Sequence, residues 1–412
     1  MVVDSNAFRR DERVTASLDG GTFVTSRLEA RGQLGIAGIR GRNDDRPDGP
    51  ADTTGFSQGF VSWNGTTRRT ADARLNYYVA PRTVVTLGGD YRTTAYRSTD
   101  TTLSTFGVSA GRPFSPERDN RAVYAQLHGD VRDVATITVG GRYDDNSAFG
   151  AFRTVRAGLG VLAPWGMRVR ASVGNAFREP TMSENFAAST FERGNASLRP
   201  ERTRSVEAGL EQPLLGGRVT LAGTWFLQRF RDMIQYGALA PTSAGDSANY
   251  FNVAGANAGG VELEARAAAV AGWSVAASWT HQDTRVTDAG FQSGAGASFV
   301  EGERLLRRPT SLAAVGVTRT FDDRGSLALR VNYTGRRDDR DFSTFPATPL
   351  VLPSYTTVNL ATELALLRPS QHRTGVTLTA RAENLLDEEY QPVLGFTAPG
   401  RTVLVGLRLD AR

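Results

Sequence analysis

Ala135-Thr136-Ile137-Thr138-Val139-Gly140-Gly141-Arg142-Tyr143-Asp144 alternates almost without interruption. Ala135, Ile137, Val139, Gly141 and Tyr143 make one set, and Thr136, Thr138, Gly140, Arg142 and Asp144 the other. Successive side chains of an extended chain point to opposite faces, so this stretch predicts a strand with one oily and one polar face. The same split recurs outward in both directions. Met167, Val169, Ala171 and Val173 oppose Arg168, Arg170 and Ser172. Val219, Leu221, Gly223, Trp225 and Leu227 oppose Thr220, Thr224 and Gln228. Leu327, Leu329, Val331 and Tyr333 oppose Ser326, Arg330 and Asn332, and Val376, Leu378, Ala380 and Ala382 oppose Thr377, Thr379, Arg381 and Glu383. Val403, Val405, Leu407 and Leu409 close the series.

The pattern predicts about 17 strands, many of about 10 to 14 residues, where soluble strands run to about 5 or 6. A tilted strand crosses a bilayer in about 9 to 11 residues. An Arg-bearing polar face needs water or protein and an oily face needs lipid, which a closed membrane β-barrel supplies. No run of about 18 apolar residues exists for a spanning helix. The fold expected is therefore an all-β, transmembrane, antiparallel β-barrel, taken as one domain over residues 1–412.

The connections point the same way. Short ones fall near Ala80-Pro81, Val131 to Asp133, Ala163-Pro164, Pro213 to Gly217, Val270 to Gly272, Phe321 to Gly325 and Leu367 to Arg373. Between most of them lie long polar stretches at 42–65, 97–118, 177–200, 233–252, 284–308, 337–353 and 385–400, with one brief exception at Asp145 to Gly150. Short periplasmic turns alternating with long outer loops are the organisation of an outer-membrane barrel. Tyr77, Tyr78, Tyr91, Tyr143, Trp165, Trp225, Tyr236, Trp273, Trp279, Tyr333 and Tyr355 stand near strand ends, as interfacial girdles do.

Composition excludes several chemistries. Cysteine is absent, so disulfides, thiolate metal sites and a cysteine nucleophile are ruled out. The net charge is +5 and all 48 basic residues are Arg. They are interleaved with Asp and Glu along the whole chain, with no basic block, which argues against nucleic-acid binding. Gly107-Val108-Ser109-Ala110-Gly111 has the spelling of a nucleophile elbow, but no helix follows it. The three His residues are His128, His281 and His372, and no enzymatic activity is expected.

Particular stretches carry a family resemblance. Gly174-Asn175-Ala176-Phe177-Arg178-Glu179-Pro180-Thr181-Met182-Ser183-Glu184 resembles the "G-x-x-F-R-x-P-x-x-x-E" of TonB-dependent receptors. Gly194-Asn195 to Pro200-Glu201 is similar to their "G-N-P-x-L-x-P-E", and Ser205-Val206-Glu207-Ala208-Gly209 to "S-x-E-x-G". Gly260-Val261-Glu262 matches "G-V-E"; Asn384-Leu385-Leu386-Asp387 to Tyr390 matches "N-L-x-D-x-x-Y"; and Pro399-Gly400-Arg401 matches "P-G-R". In this order over roughly residues 120 to 410, the chain resembles the barrel region of that family. Tyr333 to Tyr355, and Gly140 to Asp145 with Phe149-Gly150, look like the vitamin B12 receptor branch.

The resemblance implies a receptor of the 22-stranded type in the outer membrane of a Gram-negative bacterium. Such a receptor is bathed in outer-membrane lipid and takes up a corrinoid or a ferric siderophore with energy delivered by the TonB complex. The family carries an N-terminal plug and a TonB box. Neither is read here, the first residues already look like strand, and the chain is expected to hold about 17 C-terminal strands with the plug missing. It also departs from the aromatic end usual in the family, closing on Leu407-Arg408-Leu409-Asp410-Ala411-Arg412. A passive porin-like channel explains the alternation equally well but not the ordered motifs. A soluble β-rich module explains neither the strand lengths nor the connections.

Two loop features are candidates for binding. Asp44, Asp45 and Asp48 form one acidic cluster, and Asp338, Asp339 and Asp341 another. Hard cations gather several carboxylates from a few residues, and the B12 branch implies Ca²⁺ in outer loops. The plainer account is a solvated loop whose carboxylates pair with Arg46, Arg336, Arg337 and Arg340. Phe191, Phe342, Phe345 and Phe396 stand in loops where they would stack on a large flat ligand, or simply pack loop on loop.

Overall fold

The computed structural model describes residues 7–47, 57–188, 192–241, 247–290, 297, 299–344, 346–368 and 374–410. Among them the fold is all-β, with twenty strands, one five-residue α-helix and two single turns of 3-10 helix. The chain forms two compact units.

The first unit comprises Met1–Gly158, Gly174–Arg204 and Phe230–Ala254. It holds β1 (Phe8–Thr25), β2 (Leu28–Asp45), β3 (Ser57–Ala80), β4 (Thr83–Ser104), β5 (Gly107–Ala110), β6 (Glu117–Val131) and β7 (Ala135–Asn146). Each long strand pairs antiparallel with the next, and β4 pairs with both the short β5 and β6. The residues of β8 (Gly150–Leu162), β9 (Arg168–Arg178), β10 (Glu201–Leu214), β11 (Val219–Pro241) and β12 (Ser247–Val270) are divided between the units. The helix α1 (Met182–Phe186) lies in the first.

The second unit comprises Leu159–Val173, Ser205–Arg229 and Gly255–Arg412. Here β12 pairs with β13 (Trp273–Asp288), which pairs with β14 (Ser311–Thr320), and β14 with β15 (Gly325–Thr334). Two short strands, β16 (Arg337–Asp341) and β17 (Thr348–Leu352), make a separate hairpin. The ladder resumes through β18 (Tyr355–Leu367), β19 (Gly375–Glu383) and β20 (Thr402–Asp410).

Register aligns the alternating sets of neighbouring strands. Val275 faces Val317, which faces Leu329, which faces Leu360. One step on, Ala277, Val315, Val331 and Val358 make a second apolar row. A further step brings Trp279, Ala313 and Tyr333 together, and Trp273 closes the belt at the other end. Trp273 and Trp279 are six residues apart on one face, about 20 Å along the strand. This apolar face is bare of protein: Leu221 is 44% exposed, Leu329 40% and Val405 70%, while Ile137 is half-buried. These apolar rows therefore do not form a dry core. A continuous surface of this kind is unstable in water and is satisfied by lipid.

Two aromatics depart from the girdle expectation. Tyr78 points to the polar face and donates to Glu29 Oε2 at 3.0 Å, and Tyr355 stacks on Tyr390 with ring centroids 4.0 Å apart. Five of the predicted short connections are tight turns with left-handed residues, including Arg132, Asp133, Trp165, Gly216, Gly217, Ala271, Gly272 and Asp322, and the one at Leu367 to Arg373 lies largely outside the described residues. Gly325 (φ 146°) shows why glycine is needed, since a Cβ there would lie 1.9 Å from the Glu363 carbonyl oxygen.

The strands are longer than expected. β3 and β12 have 24 residues, β11 has 23 and β4 has 22. Much of the stretches 42–65, 97–118 and 233–252, expected as loops, is strand. Beyond the apolar belt both faces are polar, as in Thr93-Thr94-Ala95-Tyr96-Arg97-Ser98-Thr99-Asp100. The backbone ladder continues there, but alternation has nothing left to mark it. Twenty strands become seventeen long ones once β5, β16 and β17, of four or five residues, are set aside.

Candidate functional site

The stretch after β9 is a clasp built from ion pairs. Phe177 packs on Phe152 and Phe149 at centroid distances of 5.0 and 6.4 Å. Arg178 donates to Glu201 Oε2 at 2.6 Å and to Glu184 at 3.1 and 3.2 Å. Glu179 accepts from Arg118 Nη2 at 2.9 Å and from Arg92. Arg118 is buried, donates to the Pro180 carbonyl at 2.9 Å and lies over the Phe149 ring. Thr181 caps α1 reciprocally: Glu184 N donates to Thr181 Oγ1 and Thr181 N to Glu184 Oε2. Asn195 donates to the Tyr250 carbonyl at 2.8 Å and accepts from Ser197 N at 2.9 Å. Pro180 and Pro200 are fully buried, and Glu201 Oε1 accepts Ile234 N at 2.7 Å. The motif residues thus fasten a loop segment to β4, β6, β10, β11 and β12. Arg92 and Arg118 escaped the sequence reading. The one clue was Glu179 between two motif positions, a carboxylate needing a cation.

The motifs of the second unit are structural in the same sense. Gly260 is glycine because a Cβ would lie 2.1 Å from the His281 carbonyl oxygen. Glu207 is half-buried on β10, and Glu262 is exposed opposite Thr280. Asn384 adopts φ 49°, accepts Glu388 N at 2.9 Å and donates to the Glu388 carbonyl at 2.9 Å. Leu385 N donates to the Val358 carbonyl at 2.8 Å. Asp387 accepts Arg401 N at 2.7 Å, and Gly400 leaves room for that carboxylate. Tyr390 lies on Tyr355, whose ring carries the Arg337 guanidinium 5.1 Å away. Arg337 was expected to neutralise the neighbouring acids. Instead it is buried and donates to the carbonyls of Pro392, Pro353 and Gln391.

Among the described residues the acidic clusters do not converge. Asp44 is held by Arg42 and by Arg46 at 2.8 Å. Asp45 is an exchange partner of Phe60 in the β2–β3 ladder, and Asp48 lies outside the described residues. Asp338 faces Arg304 at 3.7 Å. Asp339, its side chain 0% exposed, accepts Arg307 Nε at 2.9 Å, Arg340 N at 2.9 Å and Leu394 N at 3.1 Å. Burial works to raise its pKa, but the two backbone N–H donors and Arg307 outweigh it and hold the carboxyl below its ordinary value. Asp341 is lowered by the Ser343 hydroxyl and N–H, at 2.6 and 2.9 Å. Among the described residues no three His, Cys, Asp or Glu come together as a metal cage. The Asp44, Asp339 and Asp341 carboxylates are engaged by arginines, N–H groups and a hydroxyl.

Two of the four loop aromatics are described. Phe342 is 52% exposed under the Arg307 guanidinium at 5.7 Å, and Phe396 is 72% exposed. Phe191 and Phe345 lie outside the described residues. Near Phe342, a cleft of about 380 Å³ opens between the β16–β17 hairpin and Gly302 to Leu306. Gly107 to Ala110, spelled like a nucleophile elbow, is the strand β5 paired with the end of β4. The His128 and His281 rings bond Thr138 and Ser311, and His372 is outside the described residues.

The family described as TonB dependent receptor-like, beta-barrel, matches residues 4–385. The vitamin B12 transporter BtuB of Vibrio vulnificus (strain YJ016) is 28% identical over 337 residues, covering 81% of this chain and 46% of its own length. The chain thus spans about half the length of that curated relative. Among solved structures, the pyoverdine outer membrane receptor FpvA from Pseudomonas aeruginosa PAO1, bound to pyoverdine, superposes with a TM-score of 0.73 at 16% identity, over 98% of this chain and 62% of its own. The copper transporter OprC gives 0.73 at 16% identity, over 96% and 65%. At these identities the two structures show the fold.

Proposed function

Because the chain belongs to the TonB-dependent receptor family, through its β-barrel region, we propose that it acts in TonB-energised import of a large, scarce nutrient across the outer membrane. The protein is an outer-membrane protein of a Gram-negative bacterium, as its family and relatives are. The observation that carries the reading is the family match from residue 4 to residue 385. The clasps around Arg178, Glu179 and Asn384 support it, since they give the family motifs a physical task.

The nutrient is a corrinoid or a ferric siderophore. Likeness to a vitamin B12 transporter favours the corrinoid, while the pyoverdine receptor and the copper transporter share the fold with other cargoes. In this reading the polar face lines the path, the outer loops meet the ligand, and the TonB complex pulls on a plug of the kind family members carry. The family is one of transporters and receptors, not enzymes. No nucleic-acid partner enters the reading. The test is accumulation of labelled cyanocobalamin and labelled ferric siderophores in cells expressing the receptor. Concentrative uptake of one of them, abolished by deleting TonB or collapsing the proton-motive force, is the expected result. Flux that equilibrates passively and ignores TonB would replace this reading with the porin.

A further inference from the structure

In the second unit, three stretches of chain wall the cleft of about 380 Å³. One is Gly302 to Arg304 with Leu306, one the Asp338 to Arg340 part of β16, and one Pro349 to Val351 of β17. Backbone bonds hold these walls in place. Gly302 N donates to the Val286 carbonyl and Val286 N to the Glu303 carbonyl, each at 2.9 Å, and Arg307 N donates to the Asp338 carbonyl at 2.7 Å. The hairpin of β16 and β17 is paired from Arg337 and Leu352 to Asp341 and Thr348. Leu306, Pro349, Leu350 and Val351 give the cleft an apolar lining, and Val351 is 58% exposed.

The charges around the cleft are matched. Arg304 faces Asp283 at 2.9 Å and Asp338 at 3.7 Å, Arg307 faces Asp339 at 2.9 Å, and Arg340 faces Glu303 at 3.0 Å. Arg308 and Arg336, on the flanking chain, do not line it. An anionic group entering here would find each of these cations already held by a carboxylate, and would be repelled by those carboxylates. The Arg340–Glu303 pair still has unused hydrogen-bonding capacity. Only 6% of the Arg340 side chain is exposed; Nη2 donates to Glu303 Oε2, but the enclosed Nε has no acceptor. A buried donor without a partner is costly. The Glu303 side chain is 54% exposed, and its Oε1 has no partner among the described residues. One spare donor therefore sits beside one spare acceptor.

We propose that this cleft is a subsite that takes an uncharged, amide-bearing part of the cargo. The amide carbonyl accepts from Arg340 Nε as the walls part to admit it, the amide N–H donates to Glu303 Oε1, and the adjoining carbon chain lies on Leu306, Leu350 and Val351. An amide is the complement of a spare donor beside a spare acceptor, and it adds no charge to a balanced set. The hairpin stands in an outer connection, between the end of β15 and the start of β18, so cargo arriving from outside meets it. A cleft of this size holds one arm of a large ligand and not the whole of it. The inference rests on the import reading and narrows it. The cargo is a neutral, amide-rich molecule, whether corrinoid or hydroxamate chelate, and anionic catecholate or carboxylate chelates are disfavoured.

Isothermal titration calorimetry of the detergent-purified protein tests it. The probes are cyanocobalamin and ferrichrome, which carry amides and no net charge, and ferric enterobactin and ferric citrate, which are anionic. One of the neutral probes should bind about tenfold more tightly than either anionic one. Val351→Trp fills the cleft from an exposed position and should weaken that neutral probe about tenfold. Glu303→Gln keeps the shape but frees the Arg340 charge. It should weaken the neutral probe about threefold and strengthen the anionic ones, a change of preference that a purely structural role would not give. Unchanged thermal midpoints would show that each variant is folded. The proposal is overturned if an anionic probe binds the parent as tightly as the neutral ones. Parent-like binding of the neutral probe by the Val351→Trp, Glu303→Gln double variant overturns it equally. Cellular uptake separates this failure from that of the import reading. TonB-dependent uptake that both substitutions leave unchanged overturns the subsite alone, whereas flux that ignores TonB overturns the two together.

Discussion

Arg337 joins segments that lie far apart in the chain, donating to carbonyls 16, 54 and 55 residues away. Its charge is buried, so the three carbonyls and the Tyr355 ring are its only compensation among the described residues. Arg337→Ala should lower unfolding stability by about 2–4 kcal/mol, read from the thermal midpoint by circular dichroism. Lysine should rescue little, having no planar fork to reach three oxygens. Asp339 makes the complementary prediction. Its folded pKa is depressed, so its stabilisation is complete above the ordinary carboxylate value of about 3.9 and is lost as pH falls through the lower folded value. Amide exchange at Arg340 and Leu394 should therefore stay slow down to about pH 4 and quicken only below it, and Asp339→Asn should abolish that acid step. The sequence shows an Arg- and Asp-rich run here, but not that Arg337 turns away from its acidic neighbours. Proximity along the chain favoured local pairing, and the partners that prevail come from other loops.

At the scale of elements, the segment from Phe177 to Glu201 is tied to β4 and β6 by the Glu179 carboxylate, through Arg92 and Arg118. Glu179→Ala would leave Arg118 buried without its counter-charge, a loss of about 3–5 kcal/mol. The segment should then open locally, and limited trypsin digestion should cut at Arg193 in the variant at enzyme levels the parent withstands. Glu179→Gln, which keeps the shape and some hydrogen bonding, should fall between. The strands themselves were largely legible: alternation located β7, β9, β11, β15, β19 and β20 by their apolar faces. It failed where both faces turn polar, so the outer parts of β3, β4, β11 and β12 read as loop. The hairpin of β16 and β17 also went unseen, because Arg337-Asp338-Asp339-Arg340-Asp341 has no apolar face to alternate with. Its strand geometry comes from backbone pairing and from the buried contacts of Arg337 and Asp339. The family motifs were readable as spelling, while their clasping role needed Arg92 and Arg118 from other strands.

For the whole molecule, the belt between Trp273 and Trp279 makes lipid the solvent that completes the fold. Leu329→Arg, at mid-belt, should cost about 2–4 kcal/mol of folding stability in phospholipid vesicles. Arg330→Leu, one residue on and facing the polar side, should cost much less. Urea titration of vesicle-reconstituted protein separates the two, and equal costs would mean that both faces meet the same medium. The β3–β4 hairpin carries a consequence of its own. Its ladder runs unbroken in pairing from Thr66 and Tyr96 out to Gly59 and Leu103, far past the last apolar row. Peptide hydrogens out there are shielded by partner strands rather than by hydrocarbon. In deuterated buffer, the amides of Arg97 to Thr102 should keep their protium for hours although they are bathed in water. The receptor would then present to the outside world a stiff rampart, not a fringe of supple tethers.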